Sequence, residues 1–297
     1  VNESKIITSI FKSYDIRGKY PEQLDDLTAR KIGSSIAQFL KEGNPKAKNV
    51  VVGRDMRLSS KSLTNALIDG ICSTGMNVVN IGIVSTEMTT FAVGHYNYDG
   101  GVMVTASHNP AAYNGFKICR EQAIPLSMET GIGRIAKLTQ QYHPPRGEQP
   151  GKVILSDVFK DYKRHVLRFV DNLRNVRIVV DAGNGMAGRT VPIVCEGLPI
   201  EIIPLYFELD GTFPNHDANP LIAKNLSDLQ SKVRETRAHL GVAFDGDADR
   251  CVFVDELGRI IGCDIITALI ARQFLEREKG ATILYDLRSS WVVPEEI

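Results

Sequence analysis

The sequence predicts an α/β protein made of repeated three-layer units, in which helices cover the faces of a sheet. Short runs rich in β-branched residues alternate with helical patterns along the 297 residues, and this alternation is typical of a mainly parallel sheet. It starts again after residues 140–152, QQYHPPRGEQPGK, whose proline, glycine and polar side chains indicate a linker. At roughly 150 residues per domain, the length is enough for about two domains.

The first unit is predicted to contain three strands and two helices. The strands are Asn49–Val52, Asn77–Ile81 and Gly101–Thr105, and the helices are Ser59–Thr74 and Thr86–His95. Ser59 or Ser60 can cap the first helix, because a serine hydroxyl accepts a hydrogen bond from the free amides of a first turn.

The second unit follows the same order and ends in a hairpin. Its strands are Val176–Val180, Ile200–Tyr206 and Gly241–Phe244, its helices are Val158–Leu173 and Leu226–His239, and its hairpin joins Cys251–Val254 to Arg259–Ile261. A third unit begins with an amphipathic helix at Ile265–Lys279 and a strand at Thr282–Tyr285. The predicted domains are therefore 1–152, 153–254 and 255–297, and the third is too small to close a core of its own.

The composition argues against several classes of protein. Lys+Arg and Asp+Glu number 35 each, so no net basic field is present to hold nucleic acid or an anionic membrane. The five cysteines are odd in number and form no C-x-x-C pair, which argues against a disulfide framework or a zinc site. The first residues, VNESKIITSIF, lack the pattern of a signal peptide, and no run reaches about 18 apolar residues. These features predict a cytoplasmic protein.

A serine just beyond a predicted strand is the first candidate for chemistry. Ser107 lies in the run GVMVTASHNP, after the strand Gly101–Thr105, and ligand sites of open α/β sheets gather beyond the carboxyl ends of strands. His108 is adjacent, Asn109 can orient groups and Pro110 stiffens the exit. Ser107 can therefore act as a nucleophile or carry a covalent group, while a serine turn that only leaves the strand is the structural alternative.

Three carboxylates follow a predicted strand and indicate a metal site. Asp245, Asp247 and Asp249 alternate in the run AFDGDADRCVFV, and such close carboxylates repel one another unless a cation or protons neutralise them. Ligation by oxygen alone suits Mg²⁺ or Ca²⁺. A calcium EF-hand fits less well, because Arg250 stands where its sharp turn needs glycine, and a solvated acidic loop is the structural alternative. We predict Mg²⁺, with Arg250 placed to share a phosphate with the ion.

A glycine-rich motif supports a rival interpretation. Gly183, Gly185 and Gly188 satisfy G-x-G-x-x-G in the run DAGNGMAG after a predicted strand, which is the dinucleotide-binding pattern of nicotinamide and flavin oxidoreductases. Pro192 counts against it, because proline spoils the long helix that should follow. The acidic residue expected about 20 positions further on is also poorly matched. The structural alternative is a tight turn from strand to helix.

Several basic side chains near the front of the chain can bind an anion. Arg17, Arg54 and Arg57 lie on predicted loops in the runs FKSYDIRG and GRDMRLSS. Such arginines are most often solvated, or paired with a neighbour such as Asp55. Lys117 in the run NGFK follows the serine loop and can reach back towards it. A lysine placed there can help to hold a phosphate or move a proton.

Taken together, these motifs resemble the α-D-phosphohexomutase superfamily, and within it the bacterial phosphomannomutase/phosphoglucomutase branch. The motifs are FKSYDIRG, GRDMRLSS, TASHNPAAYNGFK, DAGNGMAG, DGTFPNHDANP, DGDADR and YDLRSS, in family order from residue 11 to residue 290. The resemblance implies an isomerase that interconverts hexose 1-phosphate and hexose 6-phosphate through a phosphoserine and a hexose 1,6-bisphosphate, which also serves as activator. A non-catalytic module that binds a phosphosugar is a further alternative.

The resemblance also implies roles for individual residues. Ser107 would carry the phosphoryl group, and Mg²⁺ would be held by a phosphoserine oxygen together with Asp245, Asp247 and Asp249. The implied catalytic set is Ser107, His108, Lys117, Arg17 and Arg250, and the implied substrate-binding set is Tyr14, Arg17, Lys117 and Arg250. Lys117 is the first candidate for proton transfer, and His108 is the second.

The family has four domains around a cleft, three of them related α/β units. The three predicted units would then be domain I with the phosphoserine loop, domain II with the metal-binding loop, and part of domain III. The sugar-recognition loop of domain III and the whole of domain IV have no counterpart in these residues. The chain is therefore expected to be a piece with little or no mutase activity of its own.

Overall fold

The computed structural model describes residues 8–144 and 149–297, and its architecture confirms the predicted α/β class. Residues 1–7, used above in the argument about a signal peptide, and residues 145–148 of the predicted linker lie outside the described residues. Two sheets organise the described chain; the first also includes residues 153–155, from the start of the predicted second domain, and the second also includes residues 260–261 of the predicted third. The domain boundaries 1–152, 153–254 and 255–297 stay predictions.

Seven strands form the first sheet within the described ranges. They are β1 (Ile16–Lys19), β2 (Asn49–Arg54), β3 (Asn77–Ile83), β4 (Gly100–Val104), β5 (Tyr113–Arg120), β6 (Ile124–Pro125) and β7 (Val153–Leu155). Their order is β1-β5-β4-β2-β3-β7, with β6 beside β5. β2 runs parallel to β3 and β4, whereas β5 lies antiparallel between β1 and β4. The parallel strands therefore end at one edge, where the turn with Ser107 follows β4.

Helices cover both faces of this sheet. They are α1 (Asp26–Gly43), α2 (Ser60–Cys72), α3 (Thr86–His95), α4 (Gly133–Gln140) and α5 (Phe159–Leu167). Successive side chains of a strand point to opposite faces, so Val50 and Val52 of β2 join the core beneath α1 and α2, whereas Val51 joins the core beneath α3. Val158, just before α5, packs into the α3 core. These two cores on one sheet make the predicted three-layer unit.

The second sheet has five strands in the part of the chain that is described. Its strands are β8 (Val176–Asp181), β9 (Ile200–Leu205), β10 (Leu240–Phe244), β11 (Cys251–Asp255) and β12 (Ile260–Ile261), with α6 (Ala187–Cys195) and α7 (Ser227–Thr236) between them. β8 runs parallel to β9 and β10, and the predicted hairpin of β11 and β12 is confirmed as an antiparallel pair. The carboxylate loop follows β10, at the same kind of strand end as Ser107.

Two predictions about element extent were wrong. The helix predicted at Val158–Leu173 ends at Leu167, and Asn172 beyond it has a left-handed backbone with φ of 48°, which a right-handed helix cannot include. Thr282–Tyr285 forms no strand. Leu284 in that run is 91% exposed, so no neighbouring layer covers the run on that side.

The predicted third unit contains two helices, α8 (Cys263–Arg277) and α9 (Val292–Glu296), which pack on each other. The apolar face predicted for α8 is half exposed, with Leu269, Ile270 and Phe274 at 49–50%. Within residues 8–144 and 149–297, no helix has both the length and the apolar character needed to cross a membrane.

Candidate active site and metal centre

Ser107 lies on the turn that follows β4 and is almost completely buried, at 3% exposure. Its backbone φ is 52°, a left-handed conformation that costs a residue with a side chain roughly 1–2 kcal/mol. Its amide donates a hydrogen bond to Thr105 Oγ1 at 2.9 Å. Surrounding contacts must hold such a conformation, and strained residues of this kind gather at functional sites.

The carboxylate loop follows β10 and brings its three acids together. One oxygen from each of Asp245, Asp247 and Asp249 lies within 4.8 Å of the others. Asp245 and Asp247 are buried, and Asp247 Oδ1 has no hydrogen-bond partner. Burial first, and then the charges of Asp247 and Asp249, raise the pKa of Asp245 to about 7. The three acids thus still repel one another, and the loop offers a free buried oxygen, so it can hold a metal ion.

Contacts across the two units join the serine to this loop. Ser107 Oγ donates a hydrogen bond of 2.8 Å to Asp245 Oδ2. Arg250 Nη2 donates to Ser107 Oγ at 2.6 Å and to Asp245 Oδ2 at 2.5 Å. The structure therefore brings the predicted residues Ser107, Asp245 and Arg250 together, although 138 positions separate the serine from Asp245.

His108 packs against the same guanidinium. Its Nδ1 lies 3.5 Å from Ser107 Oγ and competes with Ser107 Oγ and Asp245 Oδ2 for the two N–H donors of Arg250 Nη2. Burial, followed by the charges of Arg250 and Arg17, lowers the pKa of His108, which favours the neutral imidazole. The neutral ring can orient Arg250 without adding a further positive charge to the site.

Lys117 on β5 reaches the carboxylate loop instead of Ser107. Its Nζ lies 2.7 Å from Asp247 Oδ2 and also pairs closely with Asp249. Burial alone would lower the pKa of Lys117, but the two carboxylates outweigh it and raise the pKa. For Asp247, burial would raise the pKa, but Lys117 outweighs it and lowers the pKa. The lysine is therefore kept as an ammonium ion that can donate a proton.

Tyr14 and Arg17 lie at the rim of the site. Tyr14 is 77% exposed and lines a cavity of about 320 Å³ together with Lys117. Arg17 pairs with Asp15, and its Nη1 donates to Asn109 Oδ1 at 2.6 Å. Arg17 thus contacts the serine loop two residues beyond Ser107, and Tyr14 is free to meet a molecule that enters the cavity.

Thr86 was missed at the level of sequence, and Arg57 was identified only as a loop arginine. Thr86, the first residue of α3, donates from its hydroxyl to Asp247 Oδ2 at 2.5 Å. Thr86 follows β3, which ends at the same sheet edge as β4. Its place just beyond a strand end is the sequence feature that could have identified it as a site residue. Arg57 was interpreted as a solvated arginine or a partner of Asp55. It pairs with Asp55, but both side chains are fully buried, so the solvated interpretation was wrong.

The glycine motif is used for packing within the protein. A Cβ on Gly185 would lie 2.7 Å from Gly246 O, and one on Gly188 would lie 2.1 Å from Phe207 O. α6, which follows the motif, has nine residues and contains Pro192. The backbone that a dinucleotide would approach is therefore occupied by other parts of this chain, which supports the tight-turn interpretation.

Comparisons with known proteins give a consistent picture. The family model described as phosphoglucomutase/phosphomannomutase, alpha/beta/alpha domain I, matches residues 8–144, and the model for alpha/beta/alpha domain II matches residues 160–258. A phosphomannomutase of Vibrio cholerae is 40% identical over 288 residues, which are 95% of this chain and 62% of that protein. A phosphomannomutase of Escherichia coli strain K12 is 39% identical over 290 residues, with 95% and 62% covered.

A solved structure is also similar along most of the chain. The phosphoglucomutase/phosphomannomutase family protein of Burkholderia thailandensis superposes with a TM-score of 0.88 and 36% identity, covering 98% of this chain and 65% of that one. The chain thus spans a little over three fifths of the length of the curated relatives that it matches.

Proposed function

We propose a function from the premise that this chain belongs to the phosphoglucomutase/phosphomannomutase family. The proposed activity is that of a phosphohexomutase, an isomerase that interconverts hexose 1-phosphate and hexose 6-phosphate through phosphorylated Ser107 and a hexose 1,6-bisphosphate. The observation that carries it is the position of one atom: Ser107 Oγ lies within hydrogen-bond distance of both Asp245 and Arg250. A serine between a metal-binding acid and a guanidinium suits phosphoryl transfer.

The proposed resident metal is Mg²⁺. Its ligands would be Asp245, Asp247, Asp249 and an oxygen of phosphorylated Ser107, an all-oxygen set that a hard cation prefers. The free Oδ1 of Asp247 and the raised pKa of Asp245 support this choice. When bound, the ion would neutralise charge on the transferring phosphoryl oxygens.

The protein's own residues supply the rest of the proposed reaction. A sugar hydroxyl oxygen forms a bond to phosphorus as the Ser107 Oγ–phosphorus bond breaks, and the hydroxyl gives up its proton. Arg250 stabilises negative charge on the phosphoryl oxygens through the Nη2 that now contacts Ser107 Oγ. Lys117, held as an ammonium ion, is proposed to donate a proton to the departing Ser107 Oγ and then, as the amine, to take up the proton that the sugar hydroxyl loses, with His108 as the second candidate.

Substrate binding is proposed at the rim of the same site. Tyr14, Arg17, Lys117 and Arg250 would bind a phosphorylated hexose, and a hexose 1,6-bisphosphate would serve as activator. Two features support this: the cavity beside Tyr14 and Lys117, and the positive charges of Arg250, Arg17 and Lys117, which all act on His108. The proposal includes a cytoplasmic location and no nucleic-acid or membrane partner. It is supported by equal numbers of acidic and basic residues and by five free cysteines.

Phosphorylation of Ser107 is the direct test. The protein is incubated with Mg²⁺ and glucose 1,6-bisphosphate and then analysed by intact-mass and peptide mass spectrometry. We expect a gain of about 80 Da on the peptide that contains Ser107. The gain should be absent in Ser107→Ala and retained in Ser73→Ala, which alters a serine at the end of α2. If the wild-type protein binds Mg²⁺ but never gains this mass, Ser107 does not accept a phosphoryl group and the proposed catalytic function is wrong.

A further inference from the structure

Arg57, which the proposed chemistry does not use, is buried directly beneath the serine loop. It follows β2 and is 2% exposed, one of the largest fully buried side chains in the described protein. We propose that Arg57 is a positioning residue that fixes the backbone of residues 107–113 and so sets the direction of Ser107 Oγ. The inference rests on the proposed role of Ser107 and deepens it.

The guanidinium is surrounded by backbone carbonyls of the serine loop. Arg57 Nη2 donates to Ser107 O at 2.8 Å and to Asn109 O at 2.6 Å. Arg57 Nη1 donates to Pro110 O at 2.9 Å and to Tyr113 O at 3.1 Å. Each terminal nitrogen carries two N–H donors, so all four meet a carbonyl. One planar side chain thus holds four backbone carbonyls of residues 107–113 by hydrogen bonds.

Asp55 keeps the buried guanidinium in place. Arg57 Nε lies 3.2 Å from Asp55 Oδ2, although the N–H direction is too oblique for a hydrogen bond. The carboxylate is anchored in turn by the amide of Arg57 at 3.0 Å and by the Ser60 hydroxyl. Burial lowers the pKa of Arg57, and the charge of Asp55 opposes this effect. An arginine stays charged in such a place, whereas a lysine offers three donors from one nitrogen and cannot reach four carbonyls.

The contacts explain how a strained serine is held. The left-handed backbone of Ser107 is stable only if its surroundings determine it. Arg57 holds the carbonyl of Ser107, and Thr105 Oγ1 accepts from its amide, so both sides of the residue are fixed. With the backbone fixed, Oγ points to Asp245. Arg57 thus acts on the reacting oxygen through the backbone and does not contact it.

The second unit closes over Arg57 through the motif DGTFPNHDANP, to which the proposed chemistry gives no role. The ring of Phe213 lies over the guanidinium, with its centroid 5.0 Å from Arg57 Cζ. A Cβ on Gly211 would lie 2.6 Å from Arg57 Cα, so this segment approaches the arginine backbone closely. Phe213 therefore covers one face of the guanidinium and links the serine loop to the unit that carries the carboxylates.

Hydrogen exchange measured by mass spectrometry tests the inference without metal or substrate. In Arg57→Lys we expect amides of residues 105–113 to exchange at least about tenfold faster, because a lysine cannot replace all four buried bonds. The control is Arg189→Lys, since Arg189 also lies over an aromatic ring, that of Phe159 at 4.9 Å, and should leave the loop unchanged. Loop exchange equal to wild type, or acceleration spread evenly over both sheets, would overturn the inference.

A second readout separates positioning from general damage. We expect Arg57→Lys to slow phosphorylation of Ser107 by glucose 1,6-bisphosphate at least about tenfold while Mn²⁺ affinity, which depends on the carboxylate loop, stays within about twofold. An equal loss of phosphorylation rate and of Mn²⁺ affinity would contradict a positioning role. If Arg57→Lys does not fold, Phe213→Leu decides: it should accelerate exchange in residues 105–113 alone, and no acceleration there would refute the inference. Wild-type protein that never accepts the phosphoryl group would refute the proposed function, while the exchange result would still judge Arg57.

Discussion

Thr86 and Asp247 are joined by two hydrogen bonds that connect the first residue of α3 to the carboxylate loop of the other unit. The Thr86 hydroxyl donates to Asp247 Oδ2 at 2.5 Å, and the Thr86 amide donates to Asp247 O at 3.1 Å. Lys117 Nζ approaches the same Oδ2 at 2.7 Å. With Oδ2 held by two donors, Oδ1 is the oxygen left free for a cation.

The first prediction is that Thr86→Val weakens metal binding. Valine keeps the shape of threonine and removes the donor, so Asp247 loses one of the groups that orient it. Loss of such an outer contact typically costs 10–100-fold in metal affinity, and we expect about tenfold here. Mn²⁺ titration followed by electron paramagnetic resonance measures it. Thr86→Ser should restore affinity, and Thr90→Val, one turn further along α3, should bind like wild type; equal affinity in all variants would contradict the prediction.

The sequence predicted those strands and helices that are continuous apolar runs between clear breaks. Val50, Val51 and Val52 are all buried because helices cover both faces of β2, and this burial produces a run that a single sequence reveals. β5, Tyr113–Arg120, was not predicted, since its run YNGFKICR mixes polar and apolar residues. Its polar members have site-specific reasons: Asn114 donates to Ser59 and Ser60, and Lys117 pairs with the carboxylate loop.

The candidate site was predicted as far as its residues lie at strand ends or in recognisable motifs. Ser107 and the three aspartates were identified in this way. Arg57 was not, because an arginine in a loop is usually solvated, and only the tertiary structure turns four carbonyls towards it. Contacts between segments about 50 positions apart are set by packing, and the sequence pattern of either segment does not contain them.

The second prediction concerns the contact between α1 and α2. A Cβ on Gly33 would lie 2.2 Å from Leu67 O, a distance that side chains do not tolerate without backbone movement. Gly33→Ala should therefore lower the free energy of unfolding by roughly 1–3 kcal/mol, measured by urea denaturation. Gly43→Ala is the matched control at the end of the same helix, because no atom outside its chain neighbours and its own helix backbone lies within 4 Å of the added Cβ. Alanine there should be neutral or stabilise by up to about 1 kcal/mol, and equal effects at both sites would disprove the close contact.

The third prediction concerns Glu87 in the first turn of α3. Its side chain lines a cavity of about 270 Å³ between the two units, whose other walls include the apolar residues Val191 and Val242. Burial, and then repulsion from Asp249 and Asp247, raise the pKa of Glu87 to about 9. The folded protein therefore keeps this proton at neutral pH, whereas the unfolded chain releases it near the ordinary value of 4.5.

The sign of the pH effect follows from these two values. Between about pH 4.5 and pH 9 the folded state binds more protons at Glu87 than the unfolded state, so stability falls as pH rises through this range. Glu87→Gln has no proton to lose and mimics the neutral acid. Its stability advantage over wild type should therefore grow with pH, by at most about 1.4 kcal/mol per pH unit.

Urea unfolding of wild type and Glu87→Gln at pH 5.5, 6.5 and 7.5 measures this difference. Chelator is added, because a bound cation would reduce the repulsion from the carboxylate loop. Glu42→Gln provides a control in which the pKa shift has the opposite direction, because hydrogen bonding to Arg134 lowers the pKa of Glu42. The stability that ionised Glu42 contributes is lost only as pH falls below 4.5. The difference between wild type and Glu42→Gln should be constant over this range. A constant difference for Glu87→Gln as well would mean that Glu87 is ionised in the folded protein, because a Glu87 that kept its proton on folding would make the stability of wild type, but not of Glu87→Gln, fall at this site as pH rises.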